Sequence, residues 1–209
     1  LEIAEQLAWC VPDWVAMSVG DGCSIAGLWK AFQELKLLRM IDRTPRILGV
    51  QAEGAAPVTE AFRTGNVLRP MKPRTIADSI AVGVPRNWRK AVLAVRESGG
   101  TMINVADEEI LESMRYCGRL TGIFAEPAAA AAVAGLERAL SDGIISRKSS
   151  AVAVITGNGL KDISSAQKAA GAPFETAADG AGVEEILNRQ GLLHAAGVGA
   201  HGGSHASHF

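Results

Sequence analysis

The 209-residue sequence has only three cysteines, Cys10, Cys23 and Cys117, and no C-x-x-C pair. That leaves no disulfide framework and no support for a zinc site, and it suits a reducing, cytoplasmic setting. No apolar run reaches the roughly 18 residues a membrane-spanning helix needs. Cationic excess is missing too: 21 Lys and Arg against 22 Asp and Glu leave a net charge of −1, which gives nucleic acid no basic face to bind. Two phosphate-binding signatures are also absent. There is no G-x-x-x-x-G-K-[ST], and Gly20, Gly22 and Gly27 are spaced too widely at the third glycine for G-x-G-x-x-G.

What is present is an alternation of short apolar runs with helical patterns. Trp14–Val19, Ile47–Gln51, Thr101–Val105 and Ala151–Ile155 read as buried parallel strands. Between them, Ile25–Leu38, Asn87–Glu97, Asp107–Leu120 and Pro127–Leu140 carry apolar residues at helical spacing. Asp107 reads as an N-cap, and Pro127 as a first-turn proline. The expected fold is α/β: an open, mainly parallel twisted sheet with helices on both faces. Residues 54–84 are less regular, and Arg69-Pro70-Met71-Lys72-Pro73-Arg74 reads as a solvated loop rather than a polyanion contact.

Both ends of the chain are unusual. Leu1-Glu2-Ile3-Ala4-Glu5-Gln6-Leu7 has helical spacing with no cap before it, so the chain is expected to begin inside a helix and to be a piece of something longer. All four histidines, His194, His201, His205 and His208, fall among Gly, Ala and Ser at the far end. That composition suggests a disordered or artificially appended tail over residues 191–209 rather than a metal site, with residues 1–190 forming the folded part.

The chemistry concentrates in two glycine-rich turns, each following a strand. Gly20-Asp21-Gly22-Cys23-Ser24-Ile25 leads from the first strand into a helix, an order in which backbone N–H groups and the helix dipole favour an anion such as phosphate. Thr156-Gly157-Asn158-Gly159-Leu160-Lys161-Asp162 follows the last strand. If the two strands are neighbours, the Thr156 hydroxyl faces a cavity floored by the first turn. An acidic side chain aimed at a phosphate would repel it, so Asp21 is expected to point away. Cys23 reads as a small buried thiol. Lys161 reads as a surface ion pair with Asp162, and Glu126 as a helix-start acid favoured by the dipole.

Four segments, Val19–Ile25, Thr75-Ile76-Ala77-Asp78-Ser79-Ile80, Phe124-Ala125-Glu126-Pro127-Ala128-Ala129-Ala130 and Thr156–Asp162, resemble threonine synthases of the tryptophan synthase β-like (fold-type II) pyridoxal-phosphate group, and in that family's order. The resemblance covers about residues 1–190 and corresponds to the C-terminal half of such an enzyme. It implies that Gly20, Asp21, Gly22, Cys23, Ser24 and Ile25 hold the phosphate of pyridoxal 5′-phosphate, that Thr156 hydrogen-bonds its pyridine nitrogen, and that Ala77 lies near the ring. A neutral hydroxyl at that nitrogen suits replacement and elimination better than transamination. The implied reaction converts O-phosphohomoserine and water to threonine and phosphate, in a cytoplasmic homodimer.

The family's Schiff-base lysine sits in a Ser-Phe-Lys-Asp-Arg-like segment that this sequence does not contain. The resemblance therefore places no catalytic residue in this chain, and the chain alone is expected to be inactive. Two other readings stay open: a threonine or serine dehydratase-like lyase of the same group, and a non-catalytic phosphate-binding α/β module.

Overall fold

The computed structural model describes residues 1–65, 67–177 and 179–192. The histidine-bearing tail lies outside them. The described residues fall into two compact units, one over Leu1–Ala170 and one that begins at Gly171.

Within the first unit, short helix α1 (Glu2–Gln6) precedes β1 (Trp14–Ser18). Then follow α2 (Cys23–Leu37), β2 (Arg46–Ala52), α3 (Pro57–Arg63), α4 (Trp88–Glu97), β3 (Thr101–Val105), α5 (Asp107–Thr121), α6 (Pro127–Ser141), β4 (Ala151–Ala153) and α7 (Ile163–Ala170). The second unit contributes α8 (Gly180–Arg189), whose N-terminus is capped by Asp179 accepting from Gly182 N–H.

All strand pairs are parallel, in the order β3-β2-β1-β4. Side chains alternate between faces along each strand. Trp14, Ala16, Leu48, Val50, Ile103 and Val105 point into one core with Ile110 and Met114 of α5 and the alanines of α6. Met17, Val19, Ile47 and Met102 face the opposite core, with Ile25 and Trp29 of α2, Val58 and Ala61 of α3, and Ala91, Val92 and Val95 of α4. Helices therefore cover both faces, as the apolar runs implied. The run Ala128–Ala132 lets α6 lie buried on nearly all sides between the sheet and α5.

Three local expectations are corrected. β4 is short and partly exposed rather than fully buried, because among the described residues it forms an edge of the sheet with a strand partner on one side. Asp107 is the first helical residue of α5, not its cap. Its carboxylate instead accepts from the Thr75 hydroxyl and from Ile76 N–H at 3.0 Å, while Glu109 reaches back to Ala106 N–H. The irregular stretch 54–84 contains α3, which starts with Pro57, where a missing N–H costs nothing. Its exposed loop is pinned at two glycines. Gly54 O accepts from Arg74 N and Gly83 O from Met71 N, and a Cβ on either glycine would fall within 2 Å of a carbonyl oxygen of the loop.

Two carboxylates hold strand or helix starts and set an acid dependence. Asp13 accepts from Ser150 N–H and Oγ, joining the starts of β1 and β4, and these bonds hold its carboxyl below the usual range. Asp162 caps α7 by accepting from Ser165 N–H, and its carboxyl is likewise lowered, chiefly by Ser165. A carboxyl with a depressed folded-state pKa stabilises fully above its unfolded value near 3.9, and the contribution disappears as pH falls through the folded value. Asp13→Asn and Asp162→Asn should each lower the urea midpoint at pH 7 and progressively less as pH drops below about 4. An equal deficit at pH 7 and pH 3 would count against these caps.

Candidate cofactor site

The order β3-β2-β1-β4 contains one reversal, between β1 and β4. In open parallel sheets ligands collect beyond the carboxyl ends of strands at such a reversal. The two glycine turns lie there, one after β1 and one after β4. A cavity of about 390 Å³ is lined by the segment from Met17 to Ile25, by Ser79, Ile80 and Val82, by Glu126 and Ala128, and by Thr156 and Lys161. The neighbouring strands thus bring Thr156 and the Gly20 turn to one cavity.

The Gly20 turn is built for close approach. Gly22 has φ +89°, a left-handed conformation that glycine adopts without strain, and it caps α2. A Cβ on Gly20 would stand 3.2 Å from Ile80 Cα and from Ser79 O, so the loop carrying Ser79 and Ile80 packs directly on the turn. Among the described residues, the N–H groups of Gly20, Asp21, Gly22, Cys23, Ser24 and Ile25 find no protein acceptor. The first turn of a helix leaves such donors free, and its dipole adds partial positive charge. Asp21 does not oppose this. Its carboxylate accepts from Arg86 N–H at 3.0 Å and its carbonyl from Asn87 N–H at 2.9 Å, so it holds the neighbouring loop.

Cys23 and Lys161 depart from expectation. Cys23 is exposed, not buried: it opens α2 on the cavity wall, and Asn87 Nδ2 donates to its Sγ at 3.3 Å. Ala77 is fully buried in the core with Ile80 and Ala125, and the part of its segment that reaches the cavity is Ser79, Ile80 and Val82. Lys161 pairs with Glu126, at 3.1 Å, rather than with Asp162, because Asp162 is turned toward the start of α7. Thr156 is exposed at the cavity rim, and its hydroxyl has no partner among the described residues.

One supporting residue escaped the sequence reading. Gln51, fully buried at the end of β2, donates to Val19 O at 3.0 Å and accepts from Val58 N–H and Thr59 N–H, both at 2.9 Å. It ties the start of α3 to the residue just before the glycine turn. A polar residue closing an otherwise apolar strand, six residues before a helix-starting proline, was the available signal.

Free main-chain donors at one side of the cavity and an unpartnered hydroxyl at another form a donor set that fits a phosphorylated heteroaromatic group. The Pyridoxal-phosphate dependent enzyme family matches residues 1–157. The chain is 42% identical over 188 residues to a threonine synthase of Methanocaldococcus jannaschii, covering 89% of this chain and 46% of that protein. It is 43% identical over 163 residues to a threonine synthase of Methanosarcina acetivorans, covering 77% of this chain and 40% of that one. The chain therefore spans less than half the length of these curated relatives. Among solved structures, a threonine deaminase from T.th. superposes with a TM-score of 0.57 at 27% identity, covering 76% of this chain and 53% of that one. A processed threonine deaminase isoform 2 from Solanum lycopersicum gives 0.64 at 24%, covering 80% and 46%, a likeness of fold.

Proposed function

The chain belongs to the pyridoxal-phosphate dependent enzymes, and from that premise we propose that it forms the cofactor-anchoring part of a threonine synthase converting O-phosphohomoserine and water to threonine and phosphate. The observation that carries the reading is the meeting of the Gly20 turn and Thr156 at one cavity, in a chain about 42% identical to threonine synthases. In this reading the amides from Gly20 to Ile25 hold the cofactor's phosphate, and the Thr156 hydroxyl meets its ring nitrogen. Pyridoxal phosphate, when bound, supplies the electron sink for breaking bonds at the substrate's α and neighbouring carbons. Thr156, a neutral hydroxyl, would leave that ring uncharged, in a cavity whose wall includes Ile80, Val82 and Ala128.

In the same reading the lysine that carries the cofactor lies on a segment upstream of this one, Lys161 does not replace it, and the working enzyme is a cytoplasmic homodimer. The described residues contain no helix long and apolar enough to cross a membrane. The likeness to threonine deaminases favours a rival reaction on the same fold, release of 2-oxobutyrate from threonine.

The test offers O-phosphohomoserine and threonine to the purified chain with pyridoxal phosphate, alone and together with the lysine-bearing half of the Methanocaldococcus jannaschii relative. Alone, the chain should bind pyridoxal phosphate reversibly, keep an unshifted mass after borohydride and release no phosphate. Complemented, it should release phosphate from O-phosphohomoserine. 2-Oxobutyrate formed mainly from threonine would replace the reading with the deaminase-like one. A borohydride-fixed adduct on Lys161 would refute the upstream-lysine arrangement.

A further inference from the structure

The charged side chains on the cavity wall are Asp21, Glu126 and Lys161. Asp21 is engaged by Arg86 N–H. Glu126 and Lys161 line both this cavity and a second one of about 330 Å³ with Asp78, Ser79 and Asp162. Their exposures are unequal: 8% for the Glu126 side chain and 61% for that of Lys161. A carboxylate buried that deeply carries a desolvation cost its surroundings must offset. Helix capping does not explain it, since Glu126 occupies the N-cap position of α6 without a side-chain capping hydrogen bond.

What the carboxylate touches is the Thr156 turn. A Cβ on Gly157 would fall 2.0 Å from Glu126 Oε1 and 2.4 Å from its Cδ, so the carboxylate lies against the α-carbon next to Thr156. Glu126 N–H donates to Gly157 O at 2.9 Å, Ala125 pairs antiparallel with Asn158, and Gly159 N–H donates to Phe124 O at 2.8 Å. Gly159 is packed as tightly, since a Cβ there would sit 2.4 Å from the Phe124 ring. Lys161, at the far end of the same turn, reaches back to both carboxylate oxygens, at 3.2 Å from Oε1 and 3.1 Å from Oε2. The turn is thus held at its start by packing and at its end by charge, through one side chain.

Resting on the reading that Thr156 meets the cofactor's ring nitrogen, we infer that Glu126 and Lys161 are positioning residues whose ion pair clamps the turn from Thr156 to Lys161 and fixes the Thr156 hydroxyl at the cavity. Glu126 acts through Gly157, and Lys161 acts by holding the carboxylate in place. Neither touches the ring nitrogen itself.

The experiment compares binding of pyridoxal phosphate with binding of its deaza analogue, in which C–H replaces the ring nitrogen, to the full 209-residue chain. A single hydrogen bond corresponds to about a three- to tenfold change in affinity. Thr156→Val and Lys161→Met should each weaken pyridoxal phosphate by about that factor and leave the deaza analogue within about twofold of the parent. Lys161→Arg, which keeps the cation, should restore binding. If Lys161→Met fails to fold, Glu126→Gln/Lys161→Met removes both charges and should show the same selective loss. Should Thr156→Val weaken binding while Lys161→Met and the double variant bind like the parent, the clamp is overturned and the Thr156 reading stands. Equal losses for both ligands in Lys161→Met would make the pair merely structural and overturn the clamp. No binding by the parent, or no effect of Thr156→Val, overturns the Thr156 reading and the clamp with it.

Discussion

A Gly135→Ala chain is expected to lose about 2 kcal/mol of stability, although alanine is the better helix former by about 1 kcal/mol. Gly135 lies in α6 with its α-carbon on Val50 of β2. A Cβ there would stand 2.3 Å from Val50 Cγ2, 2.7 Å from Cγ1 and 3.0 Å from its Cβ. Both methyls are in the way, so no rotamer of this stiff, β-branched side chain relieves the overlap. Val50 is fully buried, and α6 cannot lift away because it packs against β1, β2, β3 and α5 together. Overpacking a filled core costs about 1–3 kcal/mol, and a clash with two methyls belongs at or above the upper end of that range, so it outweighs the propensity gain. Urea unfolding checks the sign, and a double-mutant cycle checks the cause. Val50→Ala alone opens a cavity, but in the Gly135→Ala background it should cost at least about 1 kcal/mol less. A Gly135→Ala chain as stable as the parent would mean that α6 is not seated on β2 as described.

The sheet was legible because its strands are apolar runs bounded by turn residues. Thr101–Val105 is a strand over the same residues in sequence pattern and structure. Ala151–Ile155 has the same composition but only three residues of ladder, since an edge strand lacks the second neighbour that would keep its full length paired. α3 and α7 were not legible. They run Pro57–Arg63 and Ile163–Ala170, too short for a helical period to stand out, and tertiary contacts hold them rather than propensity.

At the site, the glycine turns themselves were legible, and the partners and exposure of their side chains were not. The Gly20 turn announced itself through glycine spacing before a helix, and the adjacency of β1 and β4 then brought Thr156 to it. The partner of Lys161 was misread because Asp162 is next in sequence while Glu126 is 35 residues away, and only the antiparallel bridge between Ala125 and Asn158 brings the latter near. Cys23 was misread for a similar reason. A small thiol at a strand-to-helix turn suggests burial, but the cavity removes the neighbours that would cover it.

That exposed position allows a substitution whose effects on stability and on binding should run in opposite directions. Cys23→Asp is expected to leave folding unharmed while weakening pyridoxal phosphate binding at least about tenfold. Cys23 is the first residue of α2, where a carboxylate gains about 0.3–1 kcal/mol from the helix dipole. Its exposure leaves room for the new side chain, and Asn87 Nδ2, which now donates to the sulfur, can donate to a carboxylate oxygen instead. The same carboxylate would sit among the amides that the phosphate reading assigns to a dianion. Two unit charges about 4 Å apart repel by about 1 kcal/mol in water and about 4 kcal/mol at a protein surface, so even the wet limit, doubled for a dianion, exceeds the tenfold mark of about 1.4 kcal/mol. Screening distinguishes repulsion from a distorted turn, because raising the ionic strength from about 0.01 to 1 M shortens the Debye length from about 30 to 3 Å and should recover part of the lost affinity. Cys23→Ser, which adds no charge, should bind like the parent. Equal affinity for Cys23→Asp and the parent would show that the anion does not bind at the Gly20 turn, and a loss insensitive to salt would point to altered backbone geometry rather than charge.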